Sequence, residues 1–272
     1  MFYNVDILCF FYHFVTEGLF MRFSIDAACG CNMGKIRKNN EDNFFFDNKC
    51  LEQENEGLRN IATFSDNLKN GLCVAVFDGM GGESFGEVAA FTAARQMQST
   101  IRTISDYFVS ERKYILKMAM QINDSVVEAR KELCTERCGC TMVSLYFSSG
   151  YVYACNVGDS RAYRLRDGEF LQLSVDHVEK RPNQQKKAPL TQHLGIDPEE
   201  MLIEPYVAKG KICKGDTYLL CSDGLTDMLT NFEISDIILS NDDPEECVQK
   251  LIQAALDNGG RDNITVIICK IN

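Results

Sequence analysis

Basic residues are scarce in this chain of 272 residues, which carries 28 Lys and Arg against 39 Asp and Glu. The formal charge is therefore 28 − 39 = −11. Nonspecific binding to nucleic acid requires a basic footprint, and a negative field repels polyanions. The composition argues against a nucleic-acid partner, although a compact anion can still bind at a local basic position or with the help of metal ions.

The chain also lacks a long hydrophobic run without charges. A membrane-spanning helix needs about 20 apolar residues with few charges. The most apolar stretch, residues 2–20, contains Asp6, His13 and Glu17 and has no basic n-region, so it fits neither a span nor a secretory signal. We interpret residues 1–20 as an extension and expect no stable membrane insertion. The 13 cysteines, an odd number without such a signal, indicate a reducing cytoplasm rather than a disulfide framework.

No tandem repeat, low-complexity tract or Pro/Ser-rich linker interrupts residues 21–272, which predicts one domain. Runs rich in Val, Ile, Tyr and Phe predict strands, and short polar gaps at Ser148-Ser149-Gly150 and Asp167-Gly168 predict antiparallel hairpins. The predicted strands are Phe23–Ala28, Leu72–Phe77, Thr141–Phe147, Tyr151–Val157, Arg161–Arg166, Phe170–Leu173, Thr217–Cys221 and Ile264–Ile271.

Two long amphipathic helices are predicted between the second and third strands. A capping-box pattern at Ser84-x-x-Glu87 opens the first helix, and each helix has one apolar face that should lie on a sheet. Two more helices are predicted near Glu233–Leu239 and Pro244–Asn258. This order of elements predicts an α+β fold, with packed sheets and helix layers outside. The apolar faces comprise Ala90, Ala94, Met97, Ile101 and Ile104, and then Ile115, Met118, Ile122, Val126, Ala129 and Leu133.

Acidic residues recur where an apolar strand meets a polar loop. Any one of them is explained by the frequency of Asp in turns. If all of them converge, their repulsion requires a cation, and oxygen ligands without His or Cys favour Mg²⁺ or Mn²⁺ over Zn²⁺. Two such ions would activate a water and bind a phosphoryl oxygen. The five acids are Asp42, Asp78, Asp159, Asp223 and Asp262.

Seven motifs follow one another along about 250 of the 272 residues. They are Gly34-x-x-Arg37-x-x-Asn40-Glu41-Asp42, Phe77-Asp78-Gly79-Met80-Gly81-Gly82, Gly139-Cys140-Thr141, Val157-Gly158-Asp159-Ser160-Arg161, Asp176-His177, Ser222-Asp223-Gly224-Leu225-Thr226-Asp227 and Gly260-Arg261-Asp262-Asn263. Each motif alone is weak, but the ordered set resembles the metal-dependent type 2C (PPM) protein phosphatases. The Asp-Gly-Met-Gly-Gly form is similar to the bacterial branch of that family.

The resemblance implies a four-layer α-β-β-α sandwich of two mainly antiparallel sheets flanked by helix pairs. It also implies dephosphorylation of phosphoserine and phosphothreonine by direct attack of metal-bound water, with two Mn²⁺ or Mg²⁺ ions and a third in the bacterial branch. The expected partners are phosphorylated proteins and a cognate Ser/Thr kinase with its substrates, and the expected state is a cytoplasmic monomer.

The resemblance also assigns residues to roles. Arg37 would bind the substrate phosphate, for which a guanidinium is well shaped. Glu41 and Asp42 would act in catalysis by orienting metal-bound water. The metal ligands would be Asp78, which bridges two ions, the Gly79 carbonyl at the first ion, Asp223 and Asp262 at the second, and Asp159 with Asp223 at the third.

Two departures from the family pattern stand out. Eukaryotic relatives have a His where this chain has Met80, so the general acid is open, with His177 or a metal-bound water as candidates. The flap, at about residues 178–195, is shorter than in bacterial relatives. Its basic island is read either as a contact for an acidic phosphoprotein or as a solvated loop. The island consists of Lys180, Arg181, Lys186 and Lys187.

Three other hypotheses compete with this one. A thiol-dependent phosphatase uses Cys-x5-Arg, and this spacing occurs twice, from Cys31 to Arg37 and from Cys155 to Arg161, which is unremarkable for so loose a motif. The pairs Cys29-Gly30-Cys31 and Cys138-Gly139-Cys140 could bind zinc, but their spacing is tighter than structural sites use. A catalytically inactive binding module on the same fold would be favoured by lost metal aspartates, and none is lost.

Overall fold

The computed structural model describes residues 23–80, 85–101, 110–135, 138–179 and 188–272. Within these ranges the chain forms twelve strands and five helices. The strands are β1 (Ile25–Asn32), β2 (Asp42–Phe45), β3 (Ala62–Asp66), β4 (Leu72–Met80), β5 (Gly139–Cys140), β6 (Met142–Ser148), β7 (Tyr151–Val157), β8 (Arg161–Arg166), β9 (Glu169–Gln172), β10 (Tyr206–Lys211), β11 (Thr217–Cys221) and β12 (Ile264–Ile271). The helices are α1 (Gly86–Thr100), α2 (Glu111–Glu132), α3 (Asp223–Thr226), α4 (Asn231–Leu239) and α5 (Pro244–Asp257).

The strands pair into two antiparallel sheets. The first has the order β3-β1-β12-β11-β8-β9, and the second has the order β10-β7-β6-β4-β2 with β5 paired to β4. Both predicted hairpins are confirmed, β6 with β7 and β8 with β9. Their two-residue turns have positive φ at both positions, 52° and 79° at Ser149-Gly150 and 50° and 80° at Asp167-Gly168, as a type I′ turn requires.

Alternation along the strands produces the layers. In β12, Ile267, Cys269 and Ile271 face the other sheet, while Ile264, Val266 and Ile268 face helices α3 to α5. The outer face of the second sheet packs on α1 and α2. The observed arrangement is therefore the α-β-β-α sandwich, and the predicted α+β class is confirmed.

The prediction of a capping box at Ser84 is wrong, because α1 begins at Gly86 with Phe85 as its N-cap, at φ 77° and with no side-chain cap. Ser84 and the last predicted stripe residue, Ile104, lie outside the described residues. A Cβ on Gly86 would lie 2.8 Å from Glu41 Oε2, so close packing against the β1–β2 loop accompanies this helix start.

Strand β1 runs to Asn32, beyond the predicted end at Ala28, because residues 29–32 continue the ladder with β12. Strands β2, β3, β5 and β10 were not predicted. Of these, β3 and β10 are edge strands with mixed burial, so their sequences lack the apolar alternation of a buried strand. Residues 1–20 lie outside the described residues. None of the helices in the described ranges has the length and apolar composition that a bilayer crossing requires.

Candidate metal centre

One cleft of about 310 Å³ collects most of the predicted site residues at a shared edge of the two sheets. Asp78 stands near the end of β4, and Asp159 lies in the β7–β8 turn. Asp223 opens α3 directly after β11, and Asp262 lies two residues before β12. The cleft is lined by Arg37, Glu41, Asp78, Gly79, Met80, Thr141, Asp159, Ala188, Leu190, Asp223 and Asp262.

Two glycines let backbone segments meet behind these acids. A Cβ on Gly79 would lie 2.3 Å from Gly86 O and 2.5 Å from Glu41 O, and a Cβ on Gly224 would lie 1.9 Å from Asn263 O. All three distances are too short for any side chain. Each Asp-Gly pair therefore places a carboxylate on the cleft while its glycine allows the contact that holds the element in place.

The cleft has an excess of negative charge. Five acids and one guanidinium line it, which gives a formal charge of −5 + 1 = −4. Arg37 Nη2 donates to Asp262 Oδ2 at 2.7 Å, so the phosphate-binding candidate and a predicted metal ligand are paired here. Burial raises the pKa of Glu41, against the opposing effects of Asn39 and Arg37.

The donor set fits hard divalent cations. Among the described residues, those that line the cleft include five with carboxylates as well as Gly79, and none is His or Cys, which suits Mg²⁺ or Mn²⁺ rather than Zn²⁺. In the described part of the chain, no three Asp, Glu, His or Cys side chains lie close enough together to form a preformed metal-ligand group. Carboxylates repel one another when no cation neutralises them. The cleft thus brings the ligand candidates together on one surface without drawing them into contact.

Asp42 is the one predicted site residue that does not line the cleft. It lies opposite Asp78 in the β2–β4 ladder and is buried. Its Oδ2 accepts hydrogen bonds from Ser222 Oγ at 2.8 Å and from Thr265 Oγ1 at 2.7 Å. Burial raises the pKa of Asp42 to about 7, although both hydroxyls lower it.

The other oxygen of Asp42, Oδ1, accepts no hydrogen bond from a described residue. Among the described residues, Arg164 Nε is the one fully buried side-chain nitrogen or oxygen without a partner. Asp42 as a whole is 2% exposed. The carboxylate is thus tethered at Oδ2 by two hydroxyls, and no described residue tethers Oδ1.

Several polar residues that the sequence did not single out frame the site. Asn263 Oδ1 accepts from Glu41 N at 2.8 Å, and its Nδ2 donates to Met33 O and Asn39 O. Thr141 Oγ1 accepts from Asp78 N at 3.2 Å and lies 2.6 Å from Ser160 Oγ. Asn263, Thr141 and Ser160 stand inside the motifs, which was the available signal for them.

The histidine candidate for the general acid lies outside the cleft lining. His177 Nδ1 accepts from Gly158 N at 3.2 Å, and burial lowers the pKa of the ring. Met80 does line the cleft, but its thioether has no proton to give.

The competing cysteine hypotheses find no support. Cys31 and Cys155 are buried, and burial raises the pKa of each thiol to about 12, which suppresses the nucleophilic thiolate. Arg161 is held in an ion pair with Asp176. The two Cys-Gly-Cys pairs lie in different core layers, since Cys29 and Cys31 pack between the sheets and Cys138 and Cys140 pack under α1 and α2.

Comparison with known proteins agrees with this geometry. The sequence profile of the family "Protein phosphatase 2C" matches residues 59–257. A serine/threonine phosphatase, Stp, from Listeria welshimeri is 30% identical over 255 residues, which cover 88% of this chain and 93% of that protein.

Solved structures give the same result. PppA, a regulatory component of the type VI secretion system in Pseudomonas aeruginosa, superposes with a TM-score of 0.74 at 25% identity, covering 92% of this chain and 100% of that one. The catalytic domain of the phosphatase PstP, solved with two manganese ions, superposes with a TM-score of 0.73 at 25% identity, covering 92% and 99%.

The chain belongs to the protein phosphatase 2C family, in its bacterial PPM branch, and is a protein serine/threonine phosphatase.

Proposed function

We propose that this protein hydrolyses phosphoserine and phosphothreonine in other proteins by direct attack of water, with no phosphoenzyme. One observation carries the proposal: seven of the eight predicted site residues line a single cleft. Asp78, the Gly79 carbonyl, Asp223 and Asp262 would hold two Mn²⁺ or Mg²⁺ ions, and Asp159 with Asp223 a third. When bound, such ions acidify water and stabilise the charge that develops on phosphoryl oxygens.

The chain's own residues would orient the reactants. Arg37 uses one donor on Asp262, and a guanidinium has five N–H donors, so others stay available for a phosphate. The tether on Asp42 Oδ2 would hold Oδ1 toward the attacking water, where it can accept a proton. Glu41, buried in the wall of the cleft, would act beside it on the same water.

We also propose that residues 21–272 form the phosphatase domain and that residues 178–195 form its shortened flap. The basic island of the flap, residues 180–187, lies outside the described residues. Phosphorylated proteins are the proposed substrates, and a Ser/Thr kinase that phosphorylates the same proteins is the proposed counterpart.

Hydrolysis of a phosphothreonine peptide by the purified protein tests the proposal, measured with Mn²⁺ and with EDTA. We expect activity that requires the metal and falls by at least about a hundredfold in Asp223→Asn, as for loss of a group that stabilises transition-state charge. Asp227→Asn, four residues along and outside the cleft lining, serves as the matched control and should keep its activity.

Two results would contradict this mechanism. Turnover that persists in EDTA would exclude the metal-dependent route. Binding of Mn²⁺ without turnover of any of several phosphopeptides would identify the protein as a binding module on the phosphatase fold.

A further inference from the structure

A buried thiol continues the hydrogen-bond network of Asp42 away from the cleft. Cys31, on β1, is 2% exposed, and its Sγ lies 3.2 Å from Thr265 Oγ1. The same Thr265 Oγ1 lies 2.7 Å from Asp42 Oδ2. Asn40 Nδ2 donates to Cys31 Sγ at 3.1 Å and to Asn55 Oδ1 at 2.7 Å. Cys31 thus sits at the start of a chain of contacts that ends on Asp42.

The direction of these hydrogen bonds follows from counting protons. Thr265 has one hydroxyl proton and two neighbours that could accept it. A carboxylate is a stronger acceptor than a thiol sulfur, so this proton belongs on Asp42. The contact between Cys31 and Thr265 is then satisfied only if the thiol donates to Thr265 Oγ1. Burial raises the pKa of Cys31 to about 12, so the thiol keeps the proton that it must donate.

The second hydroxyl on Asp42 is oriented in a comparable way. Thr265 N donates to Ser222 Oγ at 2.9 Å, which leaves the Ser222 proton for Asp42. With the thiol as donor, both hydroxyls that meet Asp42 Oδ2 accept a hydrogen bond, Ser222 Oγ from a backbone N–H and Thr265 Oγ1 from the thiol. A hydroxyl that accepts one hydrogen bond donates its own more strongly.

We propose that Cys31 is a positioning residue for the phosphatase reaction: its thiol donates to Thr265, which fixes the Thr265 hydroxyl on Asp42 and so holds Asp42 in its working orientation. The inference rests on the proposed function, in which Asp42 orients the attacking water. Cys31 touches neither substrate nor metal, and it acts only through Thr265.

Cys29 provides a matched control for this role. It lies two residues away on the same strand and the same face, is fully buried, and belongs to the same core between the sheets. Its thiol makes no hydrogen bond with a described residue. Replacing either cysteine by alanine leaves a similar cavity, but only Cys31→Ala removes a donor to Thr265.

The experiment measures kcat and KM on a phosphothreonine peptide with saturating Mn²⁺, after urea unfolding has shown that each variant is folded. We expect Cys31→Ala to lower kcat about tenfold at unchanged KM, since loss of one hydrogen bond to a charged network is worth about that factor. Cys31→Ser, whose hydroxyl still donates, should recover most of kcat. Cys29→Ala should match the wild type within about twofold.

A double-mutant cycle tests whether Cys31 acts through Thr265. Thr265→Val removes the hydroxyl, so adding Cys31→Ala to it should cause no further loss of kcat. Equal kcat in Cys31→Ala, Cys31→Ser and Cys29→Ala would overturn the proposal, and so would losses that multiply in the double variant. Failure of the proposed function is seen separately, as a wild type that is inactive with Mn²⁺ or active in EDTA.

Discussion

At the scale of single residues, two buried aspartates show how the environment separates a carboxylate held in an ion pair from the one proposed to act in catalysis. Asp216 is fully buried and accepts two hydrogen bonds from the Arg166 guanidinium, at 2.6 Å each, with Cys213 N and Tyr218 Oη as further donors. Burial alone would raise the pKa of Asp216, but these donors lower it below the ordinary value. Asp42 has two hydroxyls and no cation, and burial raises its pKa to about 7. A pKa shifted toward neutrality beside a cleft is typical of a group that takes part in chemistry.

The two aspartates should respond differently to amidation. Asp216→Asn leaves Arg166 without its charge partner, which costs about 3 kcal/mol of unfolding free energy. Asp42→Asn relieves an unfavourable buried charge and should change stability by less than about 1 kcal/mol in EDTA at pH 7.5, while it removes activity. Urea unfolding of both variants checks this, and equal destabilisation would contradict it.

The ion pair of Asp216 should also make the free energy of unfolding depend on pH. The pKa of Asp216 is lowered in the fold, so its contribution is present above the unfolded value of about 3.9 and is lost as pH falls below it. Urea unfolding of wild type and Asp216→Asn between pH 3 and pH 7 should converge at the acidic end. A constant difference over that range would show that the ion pair does not titrate with folding.

At the scale of elements, the short helix α3 places Asp223 because its second residue touches the loop before β12. A Cβ on Gly224 would clash with the backbone carbonyl of Asn263. The side chain of Asn263 also holds the β1–β2 loop, because it accepts from Glu41 N and donates to Asn39 O. Helix α3, the β1–β2 loop and the start of β12 are therefore held together as one packed unit through Asn263.

Gly224→Ala should disturb this unit. The backbone carbonyl cannot move aside as a flexible side chain could, so we expect a loss of about 2 kcal/mol in unfolding free energy and a weakened affinity for Mn²⁺. Gly210→Ala in β10, where the nearest atom to the new Cβ lies 3.7 Å away, is the control. Isothermal titration with Mn²⁺ provides the readout, and unchanged affinity in Gly224→Ala would exclude the coupling.

At the scale of the whole molecule, the net charge gives a physical reason for the proposed metal ions. The chain carries a net charge of −11, and the cleft concentrates a formal −4 in a concave surface. A phosphorylated substrate is itself an anion, so the field opposes its approach until cations occupy the cleft. Cations that bind the folded state alone also stabilise it.

Manganese should accordingly raise the thermal midpoint. At a hundred times Kd the stabilisation is about 2.7 kcal/mol, which corresponds to a rise of about 5 °C or more for a domain of this size. Differential scanning fluorimetry with Mn²⁺ checks this, with sodium chloride at matched ionic strength to separate site binding from screening. Asp223→Asn should lose most of the shift, and an equal shift in sodium chloride would attribute the effect to screening.

The sequence alone determined the elements whose residues have one dominant environment. Strands β7, β8, β11 and β12 have the predicted bounds, because alternating apolar residues in a sandwich leave a single register. The hairpin turns follow from local chemistry, and the ordered motifs placed seven of eight site residues on the cleft. Strands β3 and β10 were not predicted, because each lies at a sheet edge with mixed burial and its sequence lacks the apolar alternation of a buried strand.

Only the tertiary structure decided what stands behind the cleft. Cys31 and Thr265 are 234 positions apart, and Asp42 and Thr265 are 223 apart. No local sequence pattern predicts such a contact, because β1 and β12 pair only when the first sheet forms. The Cys31 thiol then lies beside the Thr265 hydroxyl, and the Asp42 carboxylate is buried with two hydroxyls on one of its oxygens. Burial and hydrogen-bond direction depend on these tertiary contacts, whereas the sequence already specifies which residue types take part in them.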